Sequence, residues 1–299
     1  MVIASMSYAP EAEDELPAFA PGSPCPPTVA RFALGRDDHL GFEERLALLA
    51  DEIRSVVPDS DTRSYVDYGP VMERDHAQRA GLGWIGKNTM LIHPEFGSWL
   101  LLGEILTTAA IPPDDAYDAD RCGTCIRCID ACPTGAIRPR QVDARLCISY
   151  LTIELRGSIP EHLRPAIGAR VFGCDICQDV CPWNDGVRPG DPEPFRLGAP
   201  LSPASLASWA EELLDLSESE FRSRYRETPL SRPGRDGMLR NLSVGLGNSG
   251  EELAVPVLMR CLDEPSPIVR EHAAWALGRL SDLKAGRESR SDERQPPPS

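Results

Sequence analysis

Cysteines form the densest group of chemically reactive residues in this sequence. The chain has 299 residues and ten cysteines, eight of which fall within residues 116–190. The first four follow the pattern C-x2-C-x2-C-x3-C-P, and a later isolated cysteine precedes C-x2-C-x3-C-P. The eight are Cys122, Cys125, Cys128, Cys132, Cys147, Cys174, Cys177 and Cys181. The first pattern is typical of the bacterial ferredoxin segment that binds [4Fe–4S] clusters.

Eight thiolates are enough for two clusters with four ligands each. In the ferredoxin pattern the fourth cysteine of a run binds the other cluster, so we expect the two runs to exchange their last ligands. The two predicted ligand sets are Cys122, Cys125, Cys128 and Cys181, and Cys132, Cys147, Cys174 and Cys177. A four-cysteine zinc site is the alternative, but zinc motifs lack the dense triple and the two Cys-Pro endings. The pattern therefore predicts a path for single electrons, without identifying the reaction that they drive.

Cys25 and Cys261 lie outside this group, and we interpret them as an incidental thiol and a core residue. Disulfide scaffolds occur in short secreted chains, whereas this chain is long and begins MVIASM, without the basic and apolar regions of a signal peptide. No window of about 18 uncharged apolar residues occurs, which excludes a membrane-spanning helix. We therefore expect a cytoplasmic protein that does not contact membranes.

The net charge of the chain is −15, which argues against a protein that coats nucleic acid. Two local regions are nevertheless basic. Residues 121–172 contain eight arginines against four acidic residues, and residues 221–240 contain six against two. Each island suits contact with a few phosphates. The alternatives are electrostatic support of anionic clusters for the first island and a solvated linker for the second.

The elements before the cysteines predict an α/β domain over residues 1–115, because strands and helices alternate there. Apolar residues recur at three- and four-residue spacing from Gly41 to Val57, which predicts an amphipathic helix ended by Pro58. The other predicted elements are a strand over 1–8, an exposed Pro-rich loop over 9–28, a short strand within 64–70, a helix over 71–80, a glycine-rich turn over 80–88 and strands over 90–92 and 98–105.

The remaining segments complete an α+β multidomain fold. Residues 116–190 are predicted to form a ferredoxin-like domain, and 191–235 a Pro-rich, basic linker with a helix near 205–216. Residues 236–283 contain two helical patterns that resemble a HEAT-type repeat, and 284–299 are predicted to be disordered. A single repeat cannot bury its own apolar face, so we expect it to pack on the cluster domain.

The α/β domain must supply the chemistry that the clusters feed. It contains no GxGxxG after a strand and no P-loop, so the sequence does not indicate a nucleotide cofactor. Its chemical candidates are Asp37 and His39 in an RDDH segment, Asp67 at a strand end, and Lys87-Asn88 after glycines. These residues alone predict an iron–sulfur redox enzyme and no more.

Seven short segments resemble the epoxyqueuosine reductase family. They are ALGRD at 33–37, VD at 66–67, GLGWIGKN at 81–88, FGS at 96–98, CISYLTIEL at 147–155, GCD at 173–175 and CPWN at 181–184. The resemblance extends from residue 1 to about 283. Residues 147–184 are the most specific part, because ferredoxins in general do not carry this stretch.

The resemblance implies a cobalamin-binding α/β domain, a double-cluster ferredoxin domain and a HEAT-like carboxyl terminus. It implies an oxidoreductase that reduces the epoxide of epoxyqueuosine at the tRNA wobble position, the last step of queuosine synthesis. Cob(I)alamin, reduced by the two [4Fe–4S] clusters, attacks or reduces an epoxide carbon, and a carboxylic acid protonates the oxygen, which finally leaves as water. We also expect an external electron donor of the flavodoxin or ferredoxin type and a monomeric enzyme.

The matching motifs assign individual site residues by resemblance. Asp67 occupies the position of the proposed proton donor, and Asp37 and His39 match a segment that lines the same pocket. Asp38 departs, since the family usually has tyrosine there. The residues expected to approach cobalamin are Lys87, Asn88, Leu91, Ser98 and Ser149. Without the resemblance, these aspartates are interpreted as turn or helix-capping residues, and the glycines as tight turns.

Two rival functions remain beside this interpretation. A corrinoid reductive dehalogenase also pairs cobalamin with two clusters, but it usually carries a secretion signal and lacks the CISYL stretch. A non-catalytic iron–sulfur electron-transfer subunit would lack an intact cobalamin pocket. The family has a helical segment before the first strand that this chain lacks, so we expect an upstream start codon or a truncated form with a weakened pocket.

Overall fold

The computed structural model describes residues 1–9, 28–191 and 205–292 of the chain. Its strands are β1 (Val2–Ser7), β2 (Thr28–Val29), β3 (Thr62–Tyr65), β4 (Trp84–Ile85), β5 (Leu91–Ile92), β6 (Leu100–Thr107), β7 (Ile137–Arg138), β8 (Gln141–Val142) and β9 (Arg170–Phe172). Its α-helices are α1 (Asp38–Val56), α2 (Glu73–Arg79), α3 (Arg127–Asp130), α4 (Ile148–Ile153), α5 (Arg164–Ile167), α6 (Ile176–Asp179), α7 (Leu206–Leu214), α8 (Glu218–Tyr225), α9 (Gly234–Ser249), α10 (Val255–Leu262) and α11 (Pro267–Asp292).

The main sheet has the strand order β1-β6-β3, and both outer strands run antiparallel to β6. The strands β1 and β3, which are joined through α1, run parallel to each other, and β6 inserts between them. Side chains alternate along a strand, so Leu101 and Ile105 pack with α1 on one face, whereas Leu100 and Leu102 pack with α2 on the other.

The predicted amphipathic helix after residue 41 is confirmed as α1, which starts three residues earlier than expected. Its N-cap is Asp37, whose side chain accepts a hydrogen bond from the backbone N–H of His39 at 3.0 Å. The helix ends at Val56, two residues before Pro58, as the restricted backbone before proline favours. The same cap therefore places two of the predicted site residues at one end of α1.

Helix α9 is the centre of the carboxyl-terminal half, and it is buried continuously from Met238 to Gly247. A side chain at Gly247 would lie 2.7 Å from the Cα atom of Ala276, so glycine allows α9 and α11 to approach closely. Helices α7 and α10 and strand β9 complete its surroundings. The predicted helical unit does pack on the cysteine-rich segment, through β9 and α4.

Two buried polar residues of α9 fasten it to the segment that separates Cys147 from Cys174. The Asn241 amide donates hydrogen bonds to the carbonyl oxygens of Thr152 at 2.7 Å and Val171 at 2.8 Å. The Arg240 guanidinium donates to three carbonyl oxygens at the end of α4 and after it, those of Leu151, Leu155 and Gly157. Burial lowers the pKa of Arg240 to about 10, with a smaller contribution from Arg156. These bonds satisfy backbone groups that helix geometry leaves without partners.

Two predicted segments differ from the structure. Residues 205–235 are not a linker, because Trp209, Leu213, Phe221 and Tyr225 of α7 and α8 are buried in the same core as α9. The expected disorder from residue 284 is wrong for 284–292, where α11 continues, since each added residue extends an existing helix at little cost. The expected Pro-rich loop around Cys25 and residues 192–204 lie outside the described residues.

No helix in the described ranges combines the length and the apolar character needed to cross a membrane.

Replacing Asn241 by leucine should leave the Thr152 and Val171 carbonyl groups buried without their donors. An unsatisfied buried polar group costs about 1–3 kcal/mol, so the Asn241→Leu variant should lose about 3 kcal/mol of unfolding free energy. Thermal unfolding followed by circular dichroism measures the loss. Ser281→Ala, on the exposed side of α11, is the control and should unfold as the wild type does. An unchanged midpoint for Asn241→Leu would contradict a fastening role.

Candidate active site

A cavity of about 400 Å³ lies where the main sheet, the cysteine-rich segment and the carboxyl-terminal half meet. Its apolar lining comes from β6, β7 and β8 and from Phe32, Pro133, Ala136, Ile148 and Ile176. The polar and sulfur-containing residues of the lining are Tyr8, Asp38, Asp67, Glu73, Arg74, Asn88, Thr89, Met90, Cys132, Thr134, Cys147, Ser149, Cys174, Asp175, Cys177, Gln178 and Arg232. Four of the eight predicted cluster ligands and the predicted proton donor therefore share one cavity.

The eight predicted cluster cysteines are free thiols that fall into two groups. Burial raises the pKa of the Cys181 thiol, and the nearby Cys122, Cys128 and Cys125 raise it further. The structure thus brings Cys181 to cysteines more than fifty residues earlier in the sequence.

The second group centres on Cys177. Burial raises the pKa of the Cys177 thiol, and Cys174 and Cys147 add to this effect. Cys132 lines the cavity together with these three residues. Two sets of four reduced thiols, half-buried except for the buried Cys181, match the donor chemistry of two [4Fe–4S] clusters, since a bound metal takes the place of the thiol protons.

The side chain of Lys87 contacts the loop of the first cysteine group. Its ammonium donates hydrogen bonds to the carbonyl oxygens of Gly123 at 2.7 Å and Cys125 at 2.9 Å. Lys87 is not part of the cavity lining, and its expected approach to cobalamin stays a prediction. Asn88, the next residue, does line the cavity, and its amide donates to the Cys177 carbonyl oxygen at 3.3 Å.

The other residues expected near cobalamin have different surroundings. Ser149 lines the cavity, but Leu91 belongs to the core between α2 and the sheet. Ser98 is buried, and its hydroxyl accepts from the amides of Gln178 at 3.2 Å and Asn184 at 2.9 Å. Ser98 therefore joins β6 to the cysteine-rich segment and does not line the cavity.

Asp67 lies on the turn between β3 and α2 with a left-handed backbone, at a φ of 60°. Its side chain is 67% exposed, and its carboxylate oxygen lies 3.9 Å from Nε2 of His39. Asp and Asn are the side chains that accept this backbone region most readily after glycine. The structure thus brings Asp67 to the end of α1 that carries the other predicted pocket residues.

His39 and Asp37 form a hydrogen-bonded pair beside Asp67. Nδ1 of His39 lies 2.7 Å from the Asp37 carboxylate, and this hydrogen bond raises the pKa of His39. Burial opposes ionisation of Asp37, yet the His39 hydrogen bond and the Arg232 charge bring its pKa below the usual value. Nδ1 cannot both donate to Asp37 and accept from Arg232, whose Nη2 lies 2.8 Å away. The raised pKa of His39 favours donation to Asp37.

Sequence reasoning missed two charged residues of this cavity. Arg232 comes from the segment interpreted as a linker, and its Nη2 lies 3.5 Å from Asp38 and 3.6 Å from Asp37. Glu73 begins α2, and burial raises its pKa, with further repulsion from Asp67. The RDDH segment could have suggested a cationic partner, because three acidic or titratable groups in a row need one when they are buried.

The comparisons with known proteins agree with this arrangement. Residues 121–184 match the 4Fe-4S double cluster binding domain, and residues 252–282 match an Armadillo/beta-catenin-like repeat. The epoxyqueuosine reductase of Pseudomonas aeruginosa is 47% identical over 253 residues, which cover 84% of this chain and 69% of that protein. The chain belongs to the epoxyqueuosine reductase family. The Escherichia coli family member is 41% identical over 250 residues, covering 83% of this chain and 65% of that protein.

Solved structures of family members have the same fold. An epoxyqueuosine reductase bound to an epoxyqueuosine-modified tRNA-Tyr stem loop has a TM-score of 0.78 at 33% identity, covering 98% of this chain and 77% of that one. The Bacillus subtilis enzyme, with its catalytic aspartate loop swung out of the active site, has a TM-score of 0.77 at 32% identity, covering 99% and 77%. The carboxyl-terminal unit is therefore repeat-like and helical, with the Armadillo-type match where we expected a HEAT-type repeat.

Replacing Lys87 by methionine should loosen the loop of the first cluster. Hydrogen bonds to charged groups contribute about 1.5–3 kcal/mol, so iron loss from that cluster should accelerate about tenfold or more. Release of iron to a chelator under anaerobic conditions measures this rate. The only other lysine in the sequence, Lys284, gives the control Lys284→Met, which should lose iron at the wild-type rate. Equal rates for all three proteins would contradict a loop-holding role for Lys87.

Proposed function

We propose that this chain reduces the epoxide of epoxyqueuosine in tRNA, with electrons that two [4Fe–4S] clusters pass to a bound cobalamin. The observation that carries the proposal is the shared cavity of Asp67 and the cysteines Cys132, Cys147, Cys174 and Cys177. A cluster held by these cysteines would border the space in which an acid can act. An electron-transfer subunit without a reaction of its own has no need for that acid.

The residues around the cavity fit a cobalamin. Leu100, Leu101 and Leu102 offer an apolar wall that suits the face of a corrin ring. In the same lining, Oδ1 of Asp38 and Oε1 of Glu73 are buried without a hydrogen-bond partner among the described residues. Such orphaned atoms are typical of sites that a polar ligand completes. When bound, cobalamin supplies the cobalt centre that transfers electrons to the epoxide.

The proposed reaction balances with two electrons and two protons. Both C–O bonds of the epoxide break, a carbon–carbon double bond remains, and the oxygen leaves as water. Asp67 is positioned to give a proton to that oxygen, because its exposed carboxyl group projects at the cavity edge. His39, held by Asp37, lies beside Asp67 and orients it electrostatically. A general acid of this kind contributes about 10²–10⁴-fold to a rate.

The ligand sets that we propose for the clusters are those expected from the spacing. The buried Cys181 lies near the half-buried Cys122, Cys125 and Cys128, which supports the first of these sets. The proposed domain division keeps the cluster segment as a unit, to which α9 is fastened. The proposed substrate is tRNA, since a relative has been solved with such a stem loop and the two arginine-rich islands suit phosphate contacts. A flavodoxin- or ferredoxin-type donor and a monomeric state complete the proposal.

Anaerobically reconstituted protein should bind about eight irons and about one cobalamin per chain. Metal analysis and the cobalamin absorption spectrum measure both quantities. The Cys132→Ser variant should lose the signal of the cluster shared with Cys147, Cys174 and Cys177, whereas Cys261→Ser should keep full iron content because Cys261 lies in the core of the helical unit. Iron near four per chain in the wild type, or zinc in its place, would overturn the ligand sets.

The Asp67→Asn variant should bind both cofactors and lose at least about 100-fold in turnover, since the amide cannot donate the proton of an acid. Asparagine accepts the left-handed backbone of this turn, so the loop should keep its shape. Conversion of epoxyqueuosine-containing tRNA, followed by nucleoside analysis, measures turnover. Asp59→Asn, at an exposed residue after α1, is the matched control. Full activity of Asp67→Asn would remove Asp67 from the proposed role.

A further inference from the structure

Glu104 is the most unusual ionisable residue of the described chain. It lies in the middle of the central strand β6 and is fully buried, and neither carboxylate oxygen has a hydrogen-bond partner among the described residues. A buried carboxylate without a partner costs several kcal/mol, so such a group is normally neutral. Glu104 is flanked by leucine and isoleucine residues in β6, and its carboxyl group makes no hydrogen bond that would stabilise the fold.

The alternation of β6 determines which way this side chain points. Leu100 and Leu102 face α2, so Glu104 points to the same side of the sheet. Its cross-strand neighbours are Ile3 of β1 and Tyr65 of β3. Tyr65 lies two residues before Asp67, and α2, which covers this face, begins with Glu73.

Three carboxyl groups therefore form an inward series from the cavity. Asp67 is at the exposed end, and its backbone N–H hydrogen-bonds to the Glu73 carboxylate. Glu73 is half-buried, and its Oε1 is buried without a partner. Glu104 lies at the inner end, where burial, then the charges of Glu73 and Asp67, raise its pKa to about 7. Arg74 and His39 oppose the rise in the pKa of Glu73, and neither contributes to the pKa of Glu104.

We propose that Glu104, acting through Glu73, stores the second proton of each turnover and returns Asp67 to its acid form. This inference rests on the proposed function, whose balance needs two protons at one oxygen, whereas Asp67 holds only one. Glu104 gives its proton to Glu73 through an intervening water, since the two carboxyl groups do not hydrogen-bond to each other, and Glu73 gives its own proton to Asp67. After the product leaves, solvent returns one proton to Glu104 and one to Asp67. Glu104 does not touch the substrate and is a positioning residue for the proton.

The Glu104→Gln variant of the enzyme loaded with both clusters and cobalamin tests the proposal. The amide keeps the size of the side chain but carries no transferable acid proton. We expect kcat to fall about tenfold, because solvent delivers the second proton more slowly, with KM unchanged. In the wild type, kcat should decline as pH rises through about 7, where Glu104 loses its proton. Glu104→Gln should lack this decline.

A second variant and a control distinguish loss of the stored proton from misfolding of the protein. Glu104→Leu fills the site with an apolar side chain, and it should show the same lower kcat and the same missing decline. Glu52→Gln, at an exposed residue of α1, should match the wild type in both. Wild-type kcat and wild-type pH dependence in either Glu104 variant would overturn the proposal.

Infrared difference spectroscopy tests the stored proton without turnover. The wild-type enzyme should show the carbonyl band of a protonated carboxylic acid that disappears as pH rises through about 7, and Glu104→Gln should lack it. Absence of this band in the wild type would overturn the proposal. If the loaded wild type fails to convert epoxyqueuosine-containing tRNA, the proposed function falls, while the band still decides whether Glu104 holds a proton.

Discussion

The rest of the structure depends on the hydrogen bonds that Arg240 and Asn241 donate from α9. They end on carbonyl groups of the segment between Cys147 and Cys174. Because these two cysteines are far apart in the sequence, their thiols can serve one cluster only if that segment keeps a single path. Burying a charged guanidinium in a helical core is costly unless its N–H groups are hydrogen-bonded. The N–H groups of Arg240 donate to backbone oxygens and to the amide oxygen of Asn241. The helical half thus determines the backbone path of the segment between Cys147 and Cys174.

Charge is distributed unevenly around the cavity. On the side of α1, the His39 hydrogen bond and the Arg232 charge bring the pKa of Asp37 below its usual value, whereas burial raises the pKa of Asp38. On the side of α2, burial raises the pKa values of Glu73 and Glu104. The pKa of Asp37 is therefore shifted in the opposite direction from those of its three acidic neighbours. Such a separation is how proteins run acid chemistry at neutral pH.

Local patterns in the sequence predicted much of this arrangement. The cysteine spacing predicted two groups of four because cluster ligands lie in short loops. Apolar spacing predicted α1, and helical patterns predicted α7, α9 and α11. Asp67 followed from the family resemblance. What failed depends on contacts distant in the sequence: α7 and α8 are buried because they pack with α9, and Arg232 reaches the cavity only through that packing. Glu104 lies in an apolar strand that is covered on both faces, so the alternation of side chains does not show from the sequence whether this glutamate is exposed or buried.

The turn at Asp67 also restricts which residues can evolve there. A left-handed backbone disfavours most side chains, and glutamate, although equally acidic, lacks the short reach with which aspartate stabilises that conformation. Glycine and asparagine would suit the backbone, but neither carries the carboxyl group that the proposed proton donor needs. The backbone and the proposed role of Asp67 therefore both favour aspartate, so a change at this position would remove the proposed acid instead of weakening it.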